Sequence, residues 1–193
     1  MLKDRDYTII IDKSGSMATK DQPGARSRWA AARETTEAFA RRCEELDPDG
    51  LTLYVFASKF RRYEQVTADR VAGVFTEHEP CGGTDLAGVL EHAFDAHFAA
   101  HDQPAARAET LVVITDGAPD DEKAVMRAVI RAARRVRRRD QLAVAFLQVG
   151  TDPGARRFLK ILDDEMVRAG APHDLVTTVT LEEAEGLGLT EVL

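Results

Sequence analysis

A carboxylate and two hydroxyls stand at alternate positions early in the chain, directly after a short apolar run. The three residues are Asp12, Ser14 and Ser16, and the run before them is Tyr7–Ile11. In an extended segment, residues i, i+2 and i+4 point to the same side, so these side chains are expected to converge. One carboxylate and two hydroxyls form a hard-oxygen cluster that suits Mg²⁺ or Mn²⁺.

A second acid follows a second apolar run. Leu111–Thr115 has the composition of a buried strand, and Asp116 and Gly117 come directly after it. In open α/β sheets, ligands bind beyond the carboxyl ends of the strands, where the strand order reverses. If the two apolar strands are neighbours, Asp12 and Asp116 approach each other from adjacent loops.

Three short motifs resemble the von Willebrand factor A family and its metal-ion-dependent adhesion site. That site is written D-x-S-x-S, then a distant Thr, then a distant Asp that is often followed by Gly. The chain contains Asp12-Lys13-Ser14-Gly15-Ser16, then Thr84 within Cys81–Leu86, and then Thr115-Asp116-Gly117. The resemblance covers essentially the whole chain.

The resemblance implies a metal site and a mode of binding. Mg²⁺ (or Mn²⁺) would be held by Asp12, Ser14, Ser16, Thr84 and Asp116, with waters in the remaining positions. In the family, a carboxylate from a partner protein fills an open position on the metal. The implied partner is therefore a protein that presents an Asp or Glu side chain.

The composition is that of an ordinary globular protein. The chain has 193 residues, of which 44% are hydrophobic and 31% charged, and this predicts one domain over residues 1–193. The net charge of −7 disfavours nonspecific nucleic-acid binding. No apolar run approaches the roughly 20 residues of a membrane span, and no secretory signal is recognisable. With only Cys43 and Cys81, no disulfide framework is expected, and we predict a cytoplasmic protein.

Strand and helix patterns alternate along the chain, which predicts an α/β fold. We expect a doubly wound, mostly parallel central sheet with helices on both faces and one antiparallel edge strand, as in the Rossmann-like fold of the von Willebrand factor A family. The predicted strands are Tyr7–Ile11, Leu51–Ala57, the edge strand Phe60–Glu64, Leu111–Thr115, Leu142–Val149 and Leu175–Val179. The predicted helices begin at the Ser27 N-cap, cover Asp69–Thr76, run through Leu86–Phe98, begin at Pro119, and cover Ala155–Arg168 and Leu181–Leu189.

The loop between the ligand cluster and the first helix is long and basic. It extends from Ala18 to Arg28 and contains Lys20, Arg26 and Arg28. Cations beside a metal favour an acidic group on a partner, so these three residues are candidate partner-binding residues. The alternative is an ordinary solvated loop.

Several other polar residues have simpler explanations than chemistry. Asp85, Asp120 and Asp121 precede predicted helices, where acids stabilise the helix N-terminus. Cys43 lies on an apolar helix stripe. Cys81 lies in the loop beside Thr84, and a redox role for it stays open.

A histidine pair and an arginine-rich face also leave alternatives open. His97 and His101 are four residues apart on a helix, a spacing that could bind zinc, although further ligands at a recognisable spacing are missing. A basic face on the fourth helix is either solvated, paired with nearby acids, or a docking surface. Its members are Arg127, Arg131, Arg134, Arg135 and Arg138.

The leading function hypothesis is a non-enzymatic, metal-dependent protein-binding module of the intracellular bacterial type. The chain resembles family members found with stress-response systems, such as tellurite-resistance clusters, or with ATPase chaperones. One alternative is a Mg²⁺-dependent phosphohydrolase, but the D-x-D-x-T pattern of such enzymes has its second acid where this chain has Ser14. A serine hydrolase is also poorly supported, because the sequence around Ser16 does not form the G-x-S-x-G motif of such enzymes. A scaffold with a purely structural metal remains the third alternative.

Overall fold

A six-stranded sheet forms the centre of the structure, a computed structural model that describes residues 5–46, 50–101 and 107–187. Its strands are β1 (Arg5–Asp12), β2 (Leu51–Phe56), β3 (Phe60–Val66), β4 (Ala108–Thr115), β5 (Leu142–Gln148) and β6 (Val176–Thr180). The strand order is β3-β2-β1-β4-β5-β6. Only the β2–β3 pair is antiparallel among the described strands, so the predicted edge strand is confirmed.

The inner strands contain buried runs of apolar residues, as expected for strands whose two faces are both covered. In β1, Ile10 packs on one side of the sheet, whereas Ile9 and Ile11 pack on the other. This alternation follows from the two-residue period of a strand. The edge strand β3 is mostly exposed and rich in charged residues, as edges that avoid further pairing usually are.

Helices cover both faces. They are α1 (Arg28–Leu46), α2 (Ala68–Thr76), α3 (Leu86–His101), α4 (Glu122–Arg135), α5 (Pro153–Asp164) and α6 (Leu181–Leu187). Residues of α3, α4 and α5 share one buried cluster, and residues of α1, α2 and α6 share the other. Two short 3₁₀ helices, Gly15–Ala18 and Pro23–Ala25, lie between β1 and α1. The predicted doubly wound α/β fold is therefore confirmed.

Element ends differ from the sequence predictions at a few places. Helix α1 begins after Ser27, whose Oγ accepts a hydrogen bond from Ala30 N at 3.1 Å, as predicted. Helix α5 begins at Pro153 because Asp152 caps it, and it ends at Asp164, before the predicted Arg168. Glu165 is the C-cap of the helix, and the chain then turns through Gly170, which has a φ of 104°. Residues 188 and 189 of the predicted last helix lie outside the described residues.

The path of the chain places a topological switch beside β1. The chain passes from β1 to β2 on one side and later returns to form β4 on the other side. In open α/β sheets, this is where ligand sites form, beyond the carboxyl ends of the strands. Among the described residues, none of the helices combines the length and apolar character that a bilayer span requires.

Candidate metal centre

Two buried acids meet at the carboxyl ends of β1 and β4. Asp12 is the last residue of β1, and Asp116 directly follows β4. These strands are parallel neighbours, with Ile11 in register with Ile114. Both aspartates have 0% exposure. The sequence prediction that the two acids approach from adjacent strands is matched by this pairing.

Hydroxyl groups connect the first motif to the second acid. Ser14 N donates to Asp12 Oδ1 at 2.7 Å, which fixes the carboxylate toward its own loop. The Ser14 and Ser16 hydroxyl oxygens are 3.0 Å apart, and the Ser16 hydroxyl donates to Asp116 Oδ1 at 2.8 Å. Asp12, Ser14, Ser16 and Asp116 therefore form one connected polar cluster.

The backbone of this cluster differs from the expected extended segment. Ser14 caps a 3₁₀ helix that Gly15–Ala18 form. The two serine hydroxyls meet because the chain turns after Ser14. The alternation of side-chain directions along a strand does not apply beyond that residue. The expectation of an extended segment through Ser16 was wrong, although the two serine side chains converge.

Thr115 contacts the Asp12 carboxylate from the neighbouring strand. Its hydroxyl donates to Asp12 Oδ2 at 2.7 Å, so Thr115 and Ser14 together engage both oxygens of this carboxylate. Burial nevertheless raises the pKa of Asp12 to about 6, with a smaller contribution from the negative charge of Asp116, because these hydrogen bonds offset only part of the lost hydration. Thr115 lies within the third sequence motif, but the pattern of that motif predicts no role for its hydroxyl.

A guanidinium group contacts the second acid. Arg28 Nη1 lies 2.7 Å from Asp116 Oδ2, and the side chain of Arg28 is only 13% exposed. Arg28 also donates to Asp21 through Nη2 at 2.6 Å and through Nε at 3.0 and 3.1 Å. These contacts, first those with Asp21, raise the pKa of Arg28, and the hydrogen bond from Arg28 lowers the pKa of Asp21. Sequence patterns gave no signal for this bridge.

The loop that carries Thr84 lies against the first motif. Cys81 N donates to the Lys13 carbonyl at 2.7 Å, and Gly15 N donates to the Gly82 carbonyl at 3.2 Å. Gly82 has a φ of 86°, a conformation that favours glycine. Thr84 itself is 8% exposed. The five predicted metal ligands thus lie on three segments that contact one another at this edge of the sheet.

Asp120 fixes the Thr84 loop rather than the start of a helix. Its Oδ2 accepts from Thr84 N at 2.9 Å, and its own backbone N donates to the Thr84 carbonyl at 3.0 Å. Asp121 and Asp85 are helix-start acids as predicted, since they accept from Ala124 N and Gly88 N. The sequence position of Asp120 before α4 concealed its contact with a loop that lies far away in the chain.

The remaining cations of the basic loop lie at the surface. Lys20 is exposed. Arg26 forms an ion pair with Glu34 and donates to the Pro23 carbonyl at 2.9 Å. A partner-binding role for Lys20, Arg26 and Arg28 stays a prediction.

The arginine face of α4 is largely paired. Arg131 and Arg135 form ion pairs with Glu91 and Asp95 of α3. Arg127 forms an exposed pair with an acid close to it in the chain. Arg138 was predicted on this helix face, but α4 ends at Arg135, and Arg138 pairs with a nearby acid beyond the helix. These contacts favour the interpretation that the face is paired with nearby acids.

His97 lies apart from this cluster, near the start of β4, whereas Cys81 lies beside it in the loop that carries Thr84. His97 Nδ1 is 2.7 Å from Glu109 Oε2, and this contact explains a buried histidine without zinc. The side chain of His101 lies outside the described residues. Cys43 is buried as predicted, and Cys81 is exposed with its Sγ 3.2 Å from Lys13 Nζ.

The chemistry of the cluster fits a hard divalent cation. It combines carboxylate and hydroxyl oxygens, the donors that Mg²⁺ and Mn²⁺ prefer. The raised pKa of Asp12 indicates that its negative charge is incompletely stabilised by the protein alone. Among the described residues, no group of three or more His, Cys, Asp or Glu side chains gathers to hold a metal, so a site here depends on the hydroxyls.

Comparisons with known proteins agree with this architecture. A family model described as von Willebrand factor type A domain matches residues 7–118. A comparison with curated proteins returns no match.

Solved structures share the fold at low sequence identity. The manganese-loaded TRAP protein of Plasmodium vivax has a TM-score of 0.67 at 14% identity, covering 96% of this chain and 72% of that one. The SpRpn10 VWA domain has a TM-score of 0.65 at 14% identity, covering 95% of each chain. The pilus adhesin SpaC from Lactobacillus rhamnosus GG has a TM-score of 0.66 at 12% identity, covering 98% of this chain but 30% of that one.

Proposed function

Because the chain belongs to the von Willebrand factor type A domain family, we propose that it is a divalent-metal-dependent protein-binding module. Domains of this family are generally protein-interaction modules and typically bind a divalent metal. The proposed ion is Mg²⁺ or Mn²⁺, and the proposed ligands are Asp12, Ser14, Ser16, Thr84 and Asp116.

The observation that carries the proposal is the connected cluster of acids and hydroxyls at the switch point. The Ser16 hydroxyl contacts both Ser14 and Asp116, so the two motifs share one polar centre. A hydroxyl has one donor and two lone pairs. Ser16 can therefore continue to donate to Asp116 while a lone pair faces a cation.

Each side chain would have a separate task in that ligand set. Asp12 and Asp116 supply the negative charge, and the three hydroxyls supply neutral oxygen atoms. Thr115 and Ser14 N orient Asp12 from two sides. The bound ion would supply a Lewis-acidic position that accepts one more anionic oxygen. A partner with an exposed Asp or Glu carboxylate offers such an oxygen, and we propose that class of partner.

We further propose that the protein is not an enzyme. A phosphohydrolase of the haloacid-dehalogenase type uses its first aspartate as a nucleophile, which must reach the substrate. Asp12 is fully buried, and both of its oxygens accept hydrogen bonds. A panel of phosphate and acyl esters with Mg²⁺ and Mn²⁺ should give only buffer rates. Turnover that Asp12→Asn abolishes would favour the phosphohydrolase instead.

We also propose a cellular setting for the protein. The resemblance to intracellular bacterial members of the family supports a cytoplasmic role in a stress-response or chaperone-type assembly. A partner identified by its metal dependence would test this setting directly.

The experiment that tests the function is an affinity capture with and without metal. Immobilised protein is offered candidate partners in Mg²⁺, and bound material is eluted with a chelator. Ser14→Ala should lose the capture, whereas Arg138→Ala, at an exposed pair on another part of the surface, should retain it. If partners remain bound to the unchanged protein in chelator, and also bind to Ser14→Ala, the proposal that binding depends on the metal is contradicted.

A further inference from the structure

Arg28 is a cation that already contacts one of the two acids of the candidate metal centre. We propose that Arg28 competes with the divalent ion for Asp116, so that metal binding requires Arg28 to release this carboxylate. The inference rests on the proposed function, because it concerns the regulation of the same site.

The two oxygens of Asp116 are engaged by different kinds of donor. Oδ1 accepts from the Ser16 hydroxyl at 2.8 Å, and Oδ2 accepts from Arg28 Nη1 at 2.7 Å. The hydroxyl is neutral and has lone pairs, so a cation can share it. The guanidinium has a full positive charge and no acceptor. A cation that approaches Oδ2 is therefore repelled by Arg28.

The two cations compete for the same carboxylate oxygen. Asp21 already balances the charge of Arg28, so position matters here and total charge does not. Because Arg28 Nη1 lies 2.7 Å from Asp116 Oδ2, a divalent ion on that oxygen would lie beside the guanidinium in a site whose acids are fully buried. When Arg28 has moved away from Asp116, the carboxylates of Asp12 and Asp116 can balance the ion without a cation beside it.

Asp21 offers Arg28 a place to remain after it leaves Asp116. Its carboxylate accepts one hydrogen bond from Arg28 Nε that is shared between both carboxylate oxygens, and a second from Nη2. Asp21 is exposed, so this pair does not depend on burial. Release of Asp116 therefore leaves the guanidinium paired, and the cost is smaller than that of isolating a buried charge.

The position of Arg28 depends on a glycine at the end of β5. Gly150 has a φ of 75°, and a Cβ added there would lie 2.7 Å from Arg28 Nε and 2.9 Å from Cζ. The missing side chain allows the guanidinium to lie against the backbone between Asp21 and Asp116. The segments that contain Asp21, Asp116 and Gly150 thus all contact the guanidinium of Arg28. This distinguishes Arg28 from the exposed cations of the same loop.

The test compares Mn²⁺ affinity among four variants and the unchanged protein, using the electron paramagnetic resonance signal of free Mn²⁺. Arg28→Ala and Arg28→Gln should bind Mn²⁺ about tenfold more tightly, because the repelling charge is gone. Arg28→Lys keeps the charge and should stay close to the unchanged protein. Arg26→Ala is the matched control, since Arg26 lies in the same loop but pairs with Glu34.

Thermal unfolding supplies a second readout. In chelator, Arg28→Ala and Arg28→Gln should melt below the unchanged protein, because Asp116 has lost its counter-charge. Excess Mn²⁺ should restore the melting temperature, since the ion replaces the guanidinium. A loss that Mn²⁺ leaves unrestored would assign Arg28 a purely structural role and overturn the inference.

The outcomes separate this inference from the proposed function. Equal or weaker Mn²⁺ binding by Arg28→Ala and Arg28→Gln, with clear binding by the unchanged protein, overturns the competition and leaves the metal-dependent module intact. Equal tightening by Arg28→Lys and Arg28→Gln also overturns it, because charge would then be irrelevant. Absence of Mn²⁺ binding in every variant overturns both proposals.

Discussion

The hydroxyl of Thr115 donates to Asp12 Oδ2 at 2.7 Å, and both side chains are fully buried. The contact joins the last residue of β4 to the last residue of β1, and Asp12 is itself a proposed ligand of the candidate metal centre. Removal of one partner of a buried hydrogen bond leaves the other partner without its compensation for lost hydration. Thr115 therefore orients Asp12 and partly stabilises its charge.

Thr115→Val should lower the free energy of unfolding by about 1–3 kcal/mol at neutral pH, because Asp12 loses a donor while the shape is kept. It should also weaken metal binding, since Asp12 becomes harder to ionise. Urea unfolding and a Mn²⁺ titration measure the two effects. Thr36→Val is the control: Thr36 is also buried, but its hydroxyl donates to a helix carbonyl in α1, so metal affinity should be unchanged.

The raised pKa of Asp12 predicts how stability changes with pH in chelator. Its folded pKa of about 6 exceeds the ordinary value of 3.8, so the folded state binds the proton more tightly. This contribution to stability is fully present below pH 3.8 and is lost as the pH rises through about 6. Asp12→Asn, which is always neutral, should exceed the unchanged protein in stability at pH 7.5 by about 2–3 kcal/mol.

The difference in the free energy of unfolding between Asp12→Asn and the unchanged protein should become smaller as the pH falls to 4.5, where Asp12 is protonated. Urea unfolding at both pH values measures it. Metal affinity should fall as the pH falls, because the Asp12 carboxyl must be deprotonated to bind the ion. With a pKa of about 6, Mn²⁺ binding should be about tenfold weaker at pH 5 than at pH 7. If this difference in the free energy of unfolding did not change with pH, the raised pKa of Asp12 would be contradicted.

Mg²⁺ should raise the melting temperature of the unchanged protein. An ion that binds the folded state alone stabilises it by about 2.7 kcal/mol at a hundredfold excess over Kd. Asp116→Asn should remove this rise, since it removes the charge that the ion needs. Asp140→Ala, at an exposed pair with Arg138, should keep it. An equal rise in Asp116→Asn would exclude Asp116 as a ligand.

Asp120→Ala should weaken metal binding with little effect on α4, because Asp120 holds the Thr84 backbone at 2.9 Å. Asp121→Ala should do the reverse: it removes the N-cap of α4 and costs about 1 kcal/mol of stability, with metal affinity unchanged. The two adjacent aspartates are thus a matched pair. Calorimetric metal titrations and urea unfolding distinguish them, and equal loss of affinity in both would contradict separate roles.

The sequence predicted those parts of the site that depend on local pattern. Apolar runs identified β1 and β4, and their neighbouring positions bring Asp12 and Asp116 together. The bridge from Arg28 to Asp116 joins residues 88 positions apart and depends on a side-chain conformation that no periodicity encodes. Asp120 illustrates a related difficulty: its position before a helix favoured one role, and a tertiary contact decided another.

The backbone conformation of the first motif could not be predicted from the sequence pattern either. Alternating side-chain directions apply while a strand continues, and here the strand ends at Asp12. The following 3₁₀ turn of Gly15–Ala18 is too short to show a period in sequence. The ligand types could therefore be predicted, whereas the geometry that joins them required the fold.

The final prediction concerns the partner. Asp12 and Asp116 offset the two charges of a divalent ion only while both are ionised, and the ion retains affinity for another anionic oxygen. A partner acid that fills this position is desolvated on binding. Loss of one half of such a charged contact typically costs about 2–5 kcal/mol. Neutralising the partner Asp or Glu should therefore weaken the complex strongly.

Thr84→Ala should weaken the same complex, because Thr84 would hold the ion that the partner acid contacts. The two losses should not add in a double-mutant cycle, since either change removes the same metal-bridged contact. Calorimetry on the four combinations measures the coupling. Lys20→Ala, at an exposed cation of the basic loop, should show a smaller, salt-dependent loss that adds to the others. Full affinity in excess chelator would place the interface elsewhere, and the exposed arginines of α4 would be the next surface to test.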